Sequence, residues 1–331
     1  MIKNLTGKLI SQDLFDYLKA NQGSIAKVLS VHPSAVNFLA DNGALLTLAT
    51  SQHAIMPMGM VIEYRQDLRA VFNTGDKVSL VQAKLSVINS DVAVDSQGAE
   101  IWDPNPRMEG ILRTPAVFDR LQSDLAEWLA GQPKIGLLHL ISKQKAHRLT
   151  LDIDETDAIT RYIANDLIAF VEELSKPDWQ SALEIASGLV GLGMGSTPSC
   201  DDFLVAYLVV LAVCRRLNPE KFDWVNDFNA GIVDLAQTGT TLISGHMLEH
   251  AAVGKASRSY QELIHACLFE GEIPLEQLVG EVAKTGASSG MDFLVGLSCA
   301  LDWFGKHVLN NKTKGGMAQV DVKQFQPVTI T

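Results

Sequence analysis

The sequence predicts an α+β protein, with a small N-terminal β-barrel or sandwich-like domain followed by an all-helical C-terminal domain. Three observations predict it. Between residues 24 and 112 the apolar residues come in short β-rich runs separated by turn signals. From Pro115 onward they recur at the helical period instead. Between the two, Asp103-Pro104-Asn105-Pro106 breaks the strand pattern. The expected organisation is a mainly β domain with an N-terminal helix over 1–114, a helical domain over 115–309, and a linker-like tail over 310–331.

Residues 5–20 are expected to form the N-terminal helix. I-A-K-V-L-S-V from Ile25, A-V-N-F-L-A from Ala35, A-L-L-T-L-A from Ala44 and M-G-M-V-I-E-Y from Met58 read as strands, divided by Asp41-Asn42-Gly43 and the region of Pro57. K-V-S-L-V-Q-A-K-L-S-V-I alternates after Thr74-Gly75-Asp76, and Val92, Val94 and Ile101 extend the pattern. Short strands with tight turns suit a small barrel or sandwich. In the second half, Val117, Leu121, Leu125 and Trp128 share one helical face. Helices are expected over 154–174, 179–189, 201–217, 224–237, 240–253, 259–269, 275–284 and 292–309, and a final strand over 320–328. The helix from Asp201 is apolar on every side. It starts with Asp201-Asp202 and ends with Arg215-Arg216, charges that match the dipole at both ends, so it belongs at the centre of a bundle.

At 331 residues the chain is long enough for two domains with cores of their own. Its net charge of −11 and lack of a basic patch argue against nucleic acid as a partner. Cys200, Cys214, Cys267 and Cys299 are far apart and form no C-x-x-C, which fits neither a zinc site nor a disulfide framework and suits a reducing cytosol. The N-terminus lacks the apolar core of a signal peptide, and the apolar run from Phe203 to Cys214 falls short of the roughly twenty residues that a membrane span needs. A soluble cytoplasmic protein without a membrane partner is expected.

The most informative stretch runs from Gly191 to Phe203, G-L-G-M-G-S-T-P-S-C-D-D-F. Alternating glycines let a backbone turn tightly and approach a ligand closely. Ser199 stands three residues before Asp202, the spacing of a capping box. A helix N-terminus below such a loop offers unpaired N–H groups and the positive end of a dipole, which suits phosphate or carboxylate. Ser289, Asp292, Phe293, Leu294 and Val295 repeat Ser199, Asp202, Phe203, Leu204 and Val205 at identical spacing, within T-G-A-S-S-G-M-D-F-L-V-G-L. Two readings stay open here: a pair of ordinary capping boxes, or two helix N-termini converging on one anionic ligand.

Other patterns carry less. G-x-G-x-G after a helical segment is not a dinucleotide fingerprint, and no Walker loop is present. His246-Met247-Leu248-Glu249-His250 matches an inverted zinc-protease pattern without an evident third ligand, so a solvated helix face is expected. Thr240, Thr241 and Ser244 read as a helix N-cap, with ligand hydroxyls as the alternative. The tryptophans and His32 read as structural.

G-L-G-M-G-S-T-P-S-C-D-D-F-L, T-T-L-I-S-G-H-M-L-E-H-A-A-V-G and G-A-S-S-G-M-D-F-L-V-G together resemble the AllH-like family, which includes a subunit of bacterial oxamate carbamoyltransferase. V-H-P-S-A-V-N-F-L and G-A-L-L-T-L extend the likeness into the β half. The Gly, Thr-Pro-Ser and Asp-Asp elements of the family's pattern are present, while Met194, Ser196, Cys200 and Ala287 depart from it. The resemblance implies a multi-subunit enzyme of purine-derived nitrogen catabolism that interconverts oxalurate plus phosphate with oxamate plus carbamoyl phosphate. Its partners would be the other subunits and small anionic substrates, with a homo-oligomer left open.

On that basis the backbone of Gly193, Gly195 and Ser196 and the hydroxyls of Thr197, Ser199 and Thr241 are expected to bind substrate. Ser288 and Ser289 would form the opposite wall. Asp201, Asp202 and Asp292 are the candidate catalytic carboxylates, to orient hydroxyls or accept a proton. No cofactor and no metal are expected; magnesium at the paired aspartates is the alternative. A non-catalytic scaffold or metabolite-binding subunit is the competing function, favoured by the absence of Arg and Lys from the motifs.

Overall fold

The structure, a computed structural model, describes residues 3–81, 83–141, 158–271 and 274–309. The chain divides into two compact units, Met1–Asn105 with Lys255–Tyr260, and Pro106–Gly254 with Gln261–Thr331. The expected strand over 320–328 and the first residues of the helix expected from 154 lie outside the described residues.

The first unit is a closed mixed barrel. Its strands are β1 (Lys3–Ser11), β2 (Ile25–Val31), β3 (Ala35–Ala40), β4 (Leu45–Ala49), β5 (Gly59–Ile62), β6 (Lys77–Val81), β7 (Lys84–Val87), β8 (Val92–Asp95) and β9 (Glu100–Trp102). They are ordered β5-β4-β3-β2-β6-β7-β8-β1, and β1 pairs back onto β5 to close the ring. β1 can do this because its first half lies parallel to β8, its second half parallel to β9, and its other edge antiparallel to β5. Closure removes the exposed sheet edges that would invite aggregation. Val28, Val36, Phe38, Leu46, Leu48, Met60, Val78 and Val94 fill the interior.

The helix expected over 5–20 is half strand. Residues 3–11 form β1, and the helix α1 (Gln12–Ala20) begins only where the Ser11 hydroxyl accepts from the Leu14 N–H at 3.1 Å. Pairing on both edges outweighs whatever local helical pattern these residues carry. Leu14 and Leu18 of α1 then complete the barrel core.

The second unit is helical: α2 (Pro115–Ala130), α3 (Ala158–Leu174), α4 (Gln180–Leu189), α5 (Ser199–Leu217), α6 (Val225–Gly239), α7 (Leu242–Ala252), α8 (Arg258–Leu268), α9 (Leu275–Ala283) and α10 (Ser289–Phe304). A tight turn over Gly136–Leu140 precedes α3. The buried face of α2 is Phe118, Leu121, Leu125 and Leu129; Val117 is exposed and Trp128 half-buried, so the expected face is rotated by about one position. Every residue of α5 from Ser199 to Cys214 is buried, which makes it the central helix. Phe203 and Tyr207 on it pack against Phe170 of α3. Among the described residues, no other pair of elements packs as extensively as α5 and α10. Their backbones nearly touch, since a Cβ at Gly296 would lie 2.4 Å from the Phe203 carbonyl oxygen.

Among the described residues, no helix is long and apolar enough to cross a membrane. All four cysteines are free and buried.

Candidate functional site

The two similar motifs meet at one place, where α5 and α10 begin. The hydroxyls of Thr197 and Ser289 hydrogen-bond at 2.8 Å, joining the loop before α5 to the first turn of α10. Both helices start after residues that make no side-chain cap bond, Pro198 for α5 and Ser288 for α10. The capping boxes that are one of the two open readings for Ser199/Asp202 and Ser289/Asp292 therefore do not form. Each serine sits inside its helix, and its hydroxyl serves the aspartate of the other motif instead. Ser199 helps hold down the pKa of Asp292, and Ser289 that of Asp202.

Three aspartates are wholly buried here, each at 0% exposure, and their surroundings differ. Asp201 is saturated. It accepts from the Gly191 N–H at 2.8 Å, from the Ser244 hydroxyl at 2.6 Å and from the Thr240 hydroxyl. It fastens the glycine loop and the start of α7 to α5. Burial still raises its pKa, against the pull of those donors.

Asp292 is half satisfied. Its Oδ1 accepts from the Leu137 N–H at 2.6 Å, while Oδ2 has no hydrogen-bond partner of standard geometry among the described residues. The turn carrying Leu137 comes this close because residue 136 is glycine at φ +51°, where a Cβ would lie 2.1 Å from Asp292 Oδ1. Burial raises the pKa of Asp292, opposed by the Leu137 N–H and by the hydroxyls of Ser199 and Ser288.

Asp202 is unsatisfied. Neither carboxyl oxygen has a hydrogen-bond partner of standard geometry among the described residues. Burial first, and then repulsion from the like charge of Asp292, push its pKa well above the ordinary carboxylate range; the Ser289 and Thr197 hydroxyls only partly offset this. A buried polar group left without partners costs about 1–3 kcal/mol and calls for an explanation. Among the described residues, no Lys or Arg stands among the groups that set the pKa of any of the three.

The remaining expected residues sit at the rim. Gly193 lets the loop fold against its own helix, since a Cβ there would lie 2.3 Å from the Ser199 nitrogen. Gly195 and Ser196 are exposed, beside Met194 at 73% exposure. Among the described residues no hydrogen bond engages the N–H groups of Gly195, Ser196 or Thr197. Thr241 caps α7 by accepting from the Ser244 N–H, and its hydroxyl donates to the Ser196 carbonyl at 2.5 Å, bracing this loop. His246 lies 3.2 Å from Glu249 on α7, as a helix-face pair. Among the described residues no group of three or more His, Cys, Asp or Glu side chains is arranged to hold a metal ion.

Gly136 and Leu137 carry no motif and were not expected at the site. Only the glycine ahead of the apolar run L-L-H-L hinted at a tight approach. Thr240 and Ser244 were expected as capping residues, and both in fact bind Asp201.

Residues 189–301, which hold both motifs and all three aspartates, match the family described as oxamate carbamoyltransferase subunit AllH, and residues 3–101 match the AllH family N-terminal domain. The chain belongs to the AllH family. Its name makes that family a subunit of oxamate carbamoyltransferase, and the paired motifs and Thr241 all lie inside the matched helical segment. Gly136 and Leu137 fall between the two matched segments. No solved structure matches this AllH-family chain.

Proposed function

We propose that this chain acts within an oxamate carbamoyltransferase complex by binding carbamoyl-transfer substrates where α5 and α10 begin. One observation carries the reading: two motif copies far apart in sequence converge on a single buried carboxyl pair, one member of which has no hydrogen-bond partner of standard geometry among the described residues. The reaction would interconvert oxalurate and phosphate with oxamate and carbamoyl phosphate. A phosphate oxygen bonds to the carbamoyl carbon, the carbon–nitrogen bond to the oxamate moiety breaks, and the leaving nitrogen takes a proton.

The site has two levels suited to these roles. At the rim, the unengaged N–H groups of Gly195, Ser196 and Thr197 offer donors to a carboxylate or phosphate. Deeper, Asp202 and Asp292 stand behind the hydroxyls of Thr197, Ser199, Ser288 and Ser289 and orient them. A buried carboxyl that keeps its proton is a suitable acid for the departing nitrogen. Asp201, already saturated, positions the loop. Charge on phosphate calls for a cation, and the partner subunits would supply it.

A second reading has support of its own. Much of the motif is used internally, in the Asp201 network and the Thr241–Ser196 brace, as in a scaffold subunit. Reconstitution with the partner subunits separates the two. Under carbamoyl transfer, Ser199→Ala lowers turnover of oxamate with carbamoyl phosphate by about 10- to 100-fold while the complex stays assembled. Unchanged turnover in an intact complex leaves only the scaffold.

A further inference from the structure

We propose that Asp202, with Asp292 beside it, reads the primary-amide end of the substrate and sets the specificity of the site for a primary amide over a carboxylate. The proposal rests on the carbamoyl-transfer reading for its choice of ligand: oxamate, oxalurate and carbamoyl phosphate all carry an unsubstituted amino group on a carbonyl carbon, and inorganic phosphate does not.

Three observations support it. Asp202 is wholly buried, yet both of its oxygens lack a partner of standard geometry among the described residues, and the groups of the other helix that bear on it are Asp292 and Ser289. A carboxyl group that keeps its proton presents one donor beside one acceptor. A primary amide presents the complementary acceptor and donor, so the two dock through a pair of antiparallel hydrogen bonds. Burial and the neighbouring Asp292 and Asp201 all favour the protonated form of Asp202. A carboxylate at the same place would bring only acceptors, and its charge would face Asp292. Oδ2 of Asp292, which has no partner of standard geometry among the described residues, is then available to the second N–H of the amide.

Two hydroxyls, those of Thr197 and Ser289, bear on Asp202, and access would be between them. Thr197 and Ser289 are each half-buried and are joined by one hydrogen bond. Parting that bond, which exchanges for bonds to water or ligand, opens the way to the carboxyl. Anion donors at the rim and an amide reader below match a molecule with a carboxylate at one end and an amide at the other.

The test uses the full chain, alone and in the complex with its partner subunits, with oxamate and oxalate as probes; the two differ only by an amino group against a carboxylate oxygen. Oxamate should raise the melting temperature and bind at least about tenfold more tightly than oxalate, because losing the amide leaves buried groups unpaired. Asp202→Asn, which keeps a donor and an acceptor in place, should preserve the preference, and Asp202→Leu should remove it. Oxamate affinity of the unaltered chain should fall as pH rises, and that of Asp202→Asn should stay level; this arm holds even if the leucine variant does not fold. Equal binding of oxalate, undiminished oxamate binding by a folded Asp202→Leu, or no oxamate binding by an active complex overturns the proposal. The last result leaves the carbamoyl-transfer reading standing. Conversely, unchanged turnover in Ser199→Ala with oxamate selectivity intact sinks that reading and keeps the amide contact.

Discussion

The Thr197 hydroxyl meets that of Ser289 at 2.8 Å across 92 positions of sequence, and this contact joins the two motif copies into one site. Around it the polar groups are crossed: Ser199 of the first motif faces Asp292 of the second, and Ser289 of the second faces Asp202 of the first. Each motif is therefore incomplete without the other.

Gly136 is expected to be intolerant of a side chain. Gly136→Ala places a Cβ on Asp292 Oδ1 and forces a left-handed backbone on alanine. The expected loss is about 1–3 kcal/mol, read as a lower urea midpoint. A variant as stable as the parent contradicts the Leu137–Asp292 contact.

Asp201 is expected to matter for stability. Asp201→Ala leaves the Gly191 N–H and the Thr240 and Ser244 hydroxyls without their acceptor. Stranding the buried Ser244 hydroxyl costs about 1–3 kcal/mol and the half-buried Gly191 and Thr240 donors less, so thermal unfolding should move down by several degrees. Thr240→Val alone should cost less, since it removes one donor and leaves the carboxyl two.

The buried carboxyls give stability a definite pH dependence. Burial raises Asp201, Asp202 and Asp292 above their ordinary values. A raised carboxyl contributes fully below the unfolded pKa of about 4. Its contribution declines as pH climbs from there toward the folded value, because the unfolded chain gives up a proton that the folded chain keeps. Denaturant titrations between about pH 5 and 8 should show Asp202→Asn losing less stability with rising pH than the parent. An equal or steeper decline in the variant counts against a protonated Asp202.

Gly296 tests the seam between the two central helices. A methyl group there would press on the Phe203 carbonyl, so Gly296→Ala should destabilise by about 1–3 kcal/mol despite alanine's better helix propensity. Ser289→Ala in the same first turn of α10 removes one hydroxyl contact and should cost about 0.5–1.5 kcal/mol while altering oxamate affinity.

By itself the sequence determined the two-part architecture. A period of two gave way to a helical period near Pro115, and α5 was recognisable because an unbroken apolar run between acidic and basic ends has no solvent-facing side. It also singled out the paired motifs, which local composition makes conspicuous. It misplaced residues 5–11, whose strand identity comes from three partner strands remote in the chain. Spacing alone left Ser199 and Ser289 open between caps and a shared site, whereas in the structure neither caps its helix and each bears on the aspartate of the neighbouring helix. Tertiary structure decided what each aspartate does, because adjacent residues on a helix point in different directions. Asp201 faces the α7 start and finds three donors; Asp202 faces α10 and finds another carboxyl. Gly136, remote from every motif, shows the same dependence: its role exists only because Asp292 lies against it.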